Sequence, residues 1–531
     1  MKNLTKYTIL ICVIFIVASC KTYNFRTNYE NENALLHSAD SIKTKLFLKA
    51  HLKNGDICIF KDSWQVDTLN NLITGSGVLY DFNRKIINLN QTSIPIDSIA
   101  LYETNKKLVN PEEGRIAALA ILTSLDAILG IICITVPKAC FGSCPTFYTE
   151  QNSNKNIHFA DAEGFSSSIL PSLEKSDIDA INQHYSTSED FSITMKNEAL
   201  ETHCIDEVKL LVYPLSESER VFESNTEVAY LCKNITLPTS ATAEEGNIIS
   251  LINQSDKDER FSLADSNNLS SKEEITLTFE NVNSQKDLGI LLDFRQTLMS
   301  TFLFYNTMSY MGDLASDIFA QIDTNDKLKQ KLECMNNELG GIDVLVYNEA
   351  TNEWEFQGTY NELGPIAVNS QLLPLKNKTS ANKLKVKLIL NKGTWRIDRI
   401  SLTEIVKQVN LLEINPNSIS LNNKVNSNAL MLNSEPNKYI VSMPGNVFTF
   451  NFQLPEPNKK YEMFIYSKGY YLEWMRNDWI KDKDIVRLKK MYVNPKNYLK
   501  KQAKFYKSYE KEMEEIFWNS KVTTNQFSYE K

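Results

Sequence analysis

Histidine is scarce in this chain. Five imidazoles in 531 residues leave little from which to build a histidine-rich metal centre or a set of general bases. No His-Glu-x-x-His, no Gly-x-Ser-x-Gly and no phosphate-cradling glycine loop occurs. Their absence removes the zinc-protease, nucleophile-elbow and P-loop classes. Strong charge of one sign is lacking as well. The net charge of −8 is mild for this length, and nucleic-acid binding needs clustered positive charge to displace counterions. The richest basic stretch, Lys481 to Lys504, also contains acids and tyrosines and reads as a solvated helix face.

What is present begins at the N-terminus. Lys2 and Lys6 precede an apolar run from Ile9 to Ala18, and Ala18-Ser19-Cys20 follows. The run is about ten residues, too short to cross a bilayer of roughly 30 Å as a helix. The order of basic, apolar and small residues before a cysteine resembles a bacterial lipoprotein signal. The resemblance implies that Cys20 carries lipid and becomes the first residue of the mature protein. It implies a cell-envelope location, anchored to a membrane through that lipid, with the outer membrane favoured. Nine cysteines occur. With Cys12 lost alongside the signal and Cys20 lipidated, an odd number remains, so the chain is not a disulfide scaffold.

The fold class expected is α+β, multi-domain and mainly antiparallel β: a small barrel or sheet, then sandwich-like blocks, with a central apolar helix and a helical C-terminus. Residues 1–19 read as the signal peptide and 20–43 as a tether. Residues 44–110 read as a small antiparallel β domain, because β-branched residues alternate with polar ones between Asn54-Gly55 and Gly75-Ser76-Gly77. Residues 111–137 read as an apolar helix. Ile116 to Val136 is long enough to span a membrane, yet Asp126 sits near its centre, where a carboxylate is costly in lipid. A helix buried in the protein or lying on the membrane is the preferred reading, a true span the alternative. A β domain follows over 138–294, then a helical segment over 295–340, where Phe302, Phe304, Tyr305 and Tyr310 put rings around most of a helix. A sandwich-like domain is expected over 341–456 and a helical region over 457–531.

Cys140-Phe141-Gly142-Ser143-Cys144-Pro145 resembles an element of a bacterial domain of unknown function. Four stretches, Ala162 to Ser168, Leu298 to Gly312, Gly364 to Ala367 and Gly469 to Arg476, resemble an uncharacterised family of Bacteroidetes-type lipoproteins. That resemblance implies location and architecture and transfers no activity. Cys140 and Cys144 are candidates for a structural disulfide, since Gly142 permits the backbone to curl and an exported domain meets an oxidising compartment. A copper or thiol-redox role is the alternative, with His203 beside Cys204 as the available imidazole. Ser166-Ser167-Ser168 reads as a polar turn. The spacing of tryptophan-containing strands over 341–456 loosely resembles galactose-binding jelly-roll modules. Trp354 and Trp395, with Trp474 beyond them, are thus candidates for stacking on sugars, against the plainer reading as core residues. No catalytic residue, metal ligand or cofactor is assigned. The function expected is a tethered structural or interaction protein with an envelope protein or a glycan as partner and no nucleic acid.

Overall fold

A computed structural model describes residues 23–29, 48–52, 56–60, 64–80, 86–108, 145–149, 160–165, 175–181, 189–198, 201–224, 227–256, 258–283, 285–312, 338–361, 364–376, 382–436, 438–457, 459–473, 479, 481–508 and 510–513. Antiparallel strands dominate them. The chain divides into two compact units, with the described residues 23–108 in the first and 145–513 in the second. The 111–137 segment lies outside the described residues. Among those described, no helix is long and apolar enough to cross a membrane.

The first unit is one seven-stranded sheet. Its order is Tyr23–Tyr29, Ile99–Leu108, Leu48–Leu52, Ile57–Phe60, Leu72–Tyr80 and Gln65–Asp67, and Ile86–Pro95 also pairs with Leu72–Tyr80. Leu48, Ala50, Cys58, Phe60, Trp64, Ile73 and Tyr102 form its core. Gly77 lies where an added Cβ would come within 2.9 Å of the Phe60 ring, so the strand needs glycine to let that ring pack. The tether expected over 20–43 is corrected in part. Tyr23–Tyr29 is an edge strand in register with the last strand, Tyr23 opposite Leu108 and Tyr29 opposite Tyr102. Its alternation of aromatic and polar residues suits a strand better than a linker.

Among its described residues the second unit holds four sheets. One pair encloses a core that runs from Ala241 to Leu402. The first of that pair is ordered Ala229–Thr236, Arg220–Glu223, Asn369–Pro374, Asp287–Gln296, Trp395–Val409, Arg260–Phe261. Facing it is Gly246–Asn247, Ser240–Ala243, Lys272–Glu280, Lys383–Asn391, Ile342–Asn348, Glu353–Tyr360. The sandwich expected at 341–456 therefore begins far earlier, and the 294/341 boundaries cut through its core. The pattern of Lys383–Asn391 shows why the strands form: Leu384, Val386, Leu388 and Leu390 are buried, while Lys383, Lys385 and Lys387 face the other way.

The other pair is built from the flanks of the same chain. One sheet is Lys175–Ala180, Tyr461–Glu473, Glu201–Pro214, Leu412–Ile414, with Ile440–Ser442 also on Glu201–Pro214. Its partner is Lys424–Val425, Ser418–Leu421, Val447–Gln453, Asp190–Lys196, Thr146–Thr149, Ala162–Glu163. Phe147, Ile193, Val208, Leu210, Phe450 and Ile465 are in their shared core. The first sandwich is thus inserted into the second. Its ends leave and return side by side, since Val212 pairs with Leu412 and Leu210 with Ile414. Phe464 and Leu211 point away from the flanking core into a smaller cluster with Val221, Leu231 and Val409. The Tyr461–Glu473 strand is consequently covered on both faces.

That double burial explains a second correction. The helical region expected from 457 begins later, because Tyr461–Glu473, 13 residues near its start, form a strand. A strand covered on both faces loses the alternation that marks a strand in sequence. Helices follow at Ile485–Val493 and Pro495–Lys507. They pack on the buried helix Met299–Met311, with Phe302 against Tyr506 and the Tyr310 and Tyr498 hydroxyls 3.1 Å apart, and Trp479, ahead of both, packs against Tyr305. Lys489, Lys490, Lys496, Lys500, Lys501 and Lys504 are exposed. The Asn494 side chain caps Pro495–Lys507 by accepting from the Asn497 N–H at 3.2 Å. Asn494→Ala is expected to cost about 1 kcal/mol at that terminus. Hydrogen exchange of the first-turn amides should speed up about fivefold, and unchanged exchange would show the cap to be idle.

Candidate functional site

The outer face of the inserted sandwich collects aromatic rings and ammonium groups. Its edge strand, Glu353–Tyr360, pairs with Ile342–Asn348, setting Trp354 opposite Tyr347 and Phe356 opposite Leu345. The next strand sets Lys387 opposite Leu345 on the far side. Inward positions Val344, Val346 and Val386 fill the core, so the period of two turns Tyr347, Trp354, Phe356, Lys385 and Lys387 to the outer surface. The Trp354 and Tyr347 rings meet edge-on at 5.3 Å. Lys387 Nζ lies 4.7 Å from the Trp354 ring and Lys385 Nζ 4.9 Å from the Tyr347 ring. Phe356 is 53% exposed, with Lys376 Nζ 5.5 Å from its ring. The Lys376 backbone N–H donates to Gln357 Oε1 at 2.9 Å, which fixes that lysine beside the edge strand. Ammonium over a ring is attracted by the ring's quadrupole. Lys387 is also paired to Glu274 at 2.8 Å. Among the described residues, Lys376 and Lys385 have no carboxylate partner.

The two tryptophans singled out in the sequence part company here. Trp354 lies half-buried on this face. Trp395 is corrected: at 1% exposure it is a core residue, 5.8 Å from the Phe294 ring, and presents no face to a ligand. Its position follows from the strand Trp395–Val409, whose alternate residues Trp395 and Ile397 point between the sheets. Cys20, Cys140, Cys144, Trp474 and Ser166-Ser167-Ser168 lie outside the described residues. His203 is fully buried, and its Nε2 is 2.7 Å from Glu201 Oε1, so it offers no imidazole at the surface. Cys58 and Cys232 are buried thiols, both pushed up to about 12 by burial. Thiols held that far into the neutral form are poor nucleophiles. Among the described residues, no group of three or more His, Cys, Asp or Glu side chains is placed to hold a metal ion.

Residue-by-residue reading of the sequence missed Tyr347, Phe356, Lys376, Lys385 and Lys387. The signal was present in two strands, as alternating lysines in Lys383–Asn391 and as rings in Glu353–Tyr360. Only the register joins them.

A second site lies at the seam between the two sandwiches, where stretches far apart in sequence converge. The Glu163 N–H donates to Asp179 Oδ2 at 2.7 Å, and the Ile366 N–H donates to Glu163 Oε2 at 3.1 Å. Asn369 Nδ2 donates to Asp179 Oδ1 at 2.7 Å while its own Oδ1 accepts from the Ala180 N–H. The Gln296 N–H donates to the Gly364 carbonyl at 3.1 Å. A Cβ on Gly364 would overlap Glu163 Oε1, so the carboxylate can reach its donor only past a glycine. Asp177, Glu223 and Glu227 complete the cluster. Burial, then the Asp177, Glu163 and Glu223 charges, raise Asp179 well above the usual carboxylate range. Burial, then Glu227, raise Asp177 to about 7, against one backbone N–H that lowers it. Burial, then Glu227 and Asp177, raise Glu223 to about 8. Burial and mutual repulsion therefore favour the protonated forms of Asp179, Glu223 and Asp177.

No family model matches the chain, and no curated protein matches it. Among solved structures, an allantoicase is 11% identical over 53% of this chain and 98% of its own, with a TM-score of 0.17. The infectious bursal disease virus VP2 subviral particle is 9% identical over 67% and 96%, with a TM-score of 0.13. The secreted serine protease VesC from Vibrio cholerae is 10% identical over 67% and 63%, with a TM-score of 0.12. Likeness of that degree says nothing of what this chain does.

Proposed function

We propose that the chain is a multi-domain α+β lipoprotein of the cell envelope that binds rather than catalyses. Lipid on Cys20 would hold it to a membrane, the outer membrane by preference, and the buried Met299–Met311 helix would be the central element joining the inserted sandwich to the helical C-terminus. The observation that supports a binding role is the outer face with Tyr347, Trp354 and Phe356 beside Lys376, Lys385 and Lys387. Half-exposed rings on a rigid sheet edge supply contact area at low cost in side-chain entropy. That same face favours a second, narrower reading, a glycan partner, because sugars present flat C–H faces to such rings. The tether is tested by Cys20→Ala. The variant is expected to appear as a soluble or unprocessed form in cell fractionation. If it stays with the membrane as wild type does, lipid is not the anchor and the 116–136 segment takes that role.

A further inference from the structure

We propose that the Trp354 face binds an acidic polysaccharide, a chain of pyranose rings bearing carboxylates. The inference rests on the glycan reading above and adds the charge of the sugar. Two kinds of group are interleaved on this face at the spacing of adjacent strands. Trp354 and Tyr347 face each other across one strand pair, and Lys387 sits across the next from Leu345. Rings of this kind take the apolar face of a sugar, while an ammonium a few ångströms away takes a substituent of opposite charge.

The ammonium groups distinguish this face from a neutral-sugar platform. Lys376 and Lys385 each lie over a ring, at 5.5 and 4.9 Å, and neither is neutralised by a carboxylate among the described residues. Several acids nearby are engaged: Glu274 with Lys387 at 2.8 Å, Asp343 accepting from the Thr359 hydroxyl at 2.6 Å, Glu355 accepting from Asn348 Nδ2 at 2.6 Å, and Glu280 with Lys383 at 3.5 Å, while Glu349 and Glu353 are exposed in the hairpin. A carboxylated sugar therefore meets two uncompensated cations and few free anions. Three lysines near three rings are too few and too local to track a duplex.

The test is isothermal titration of the full-length chain in detergent with oligogalacturonate, with uncharged dextran oligosaccharide of the same length, and with a DNA duplex. Oligogalacturonate is expected to bind at least about tenfold more tightly than either, about 1.4 kcal/mol, and to weaken as salt rises. Trp354→Ala and the pair Lys376→Ala with Lys385→Ala should each weaken it by about tenfold or more. Lys385→Glu, a surface change that leaves the core untouched, should do the same. Dextran binding as tight as oligogalacturonate and sensitive to Trp354→Ala would overturn the acidic preference and leave the glycan reading standing. Equal binding of DNA would show a response to charge alone and overturn the proposal. Binding of neither sugar, or binding indifferent to Trp354→Ala, would overturn both the proposal and the glycan reading.

Discussion

Arg260→Ala is expected to destabilise the inserted sandwich by about 3–5 kcal/mol, the range for removing one partner of a buried ion pair. Arg260 donates to both oxygens of Glu273, from Nη1 at 2.8 Å and Nη2 at 2.6 Å. It also donates to Glu245 from Nε at 2.9 Å. The Arg260 and Glu273 side chains are each 1% exposed, whereas Glu245 is 45% exposed. Alanine would leave the Glu273 carboxylate out of water with the Ser262 hydroxyl as its remaining donor in this group. The penalty is the uncompensated charge, not the worth of the pair. Replacing both partners, Arg260→Met with Glu273→Leu, is therefore expected to recover most of the loss. Chemical denaturation of the purified protein reads both. A single variant within about 1 kcal/mol of wild type, or a double variant as unstable as the single, would refute the argument.

The same sandwich shows where sequence reading works and where it stops. Lys383–Asn391 and Ile342–Asn348 alternate cleanly because one face is wet and the other is core, so both are legible as strands. Tyr461–Glu473 lies between two apolar clusters, and burial on both faces erases its period, whereas Glu201–Pro214, covered in the same way, stays legible as β through its Val208–Tyr213 stretch. The domain boundaries failed for a different reason. Insertion of one sandwich between Val212 and Leu412 is a pairing across some 200 residues, and local composition carries no trace of such a pairing. The binding face fails to show for the same reason: Trp354 stands out alone, but its neighbours Tyr347, Lys385 and Lys387 come from other strands. The seam had a partial trace. The stretches around Glu163 and Gly364 stood out by resemblance, and the hydrogen bond from Ile366 to Glu163 shows what brings them together. Asp177, Asp179 and Glu223 gave no signal, since carboxylates in an acidic chain are commonplace until a fold buries them.

The raised carboxyls of the seam give the second large effect, a loss of stability on going from mildly acidic to alkaline pH. Glu223 rises from 4.5 to about 8 and Asp177 from 3.8 to about 7 in the folded protein, and Asp179 is raised well above its ordinary value. A raised carboxyl pKa means that the folded state holds protons the unfolded chain has released. Unfolding then releases protons between the two pKa values, and stability falls as pH rises through that window. For Glu223 and Asp177 the contribution is complete below about pH 4, declines as the unfolded chain ionises, and is spent above about pH 8. Each tenfold weakening of an acid on folding corresponds to about 1.4 kcal/mol, so Glu223 alone is worth several kcal/mol across the window. The five carboxyls share their repulsion, so their effects are not additive. Ionising one makes the next harder to ionise, and removing one relieves the rest. Glu223→Gln keeps the shape and removes the proton dependence at that position. It is expected to flatten the decline in melting temperature between pH 5 and 9, with little change at the acid end, and Asp177→Asn should flatten it further. Asp179 is the wrong choice for this test, because Asn369 Nδ2 and the Glu163 N–H both donate to it, and an amide would break one of those bonds. A melting temperature that holds level or climbs from pH 5 to 9 would show that the seam carries its charges without protons, solvated or paired in a way that cancels their repulsion.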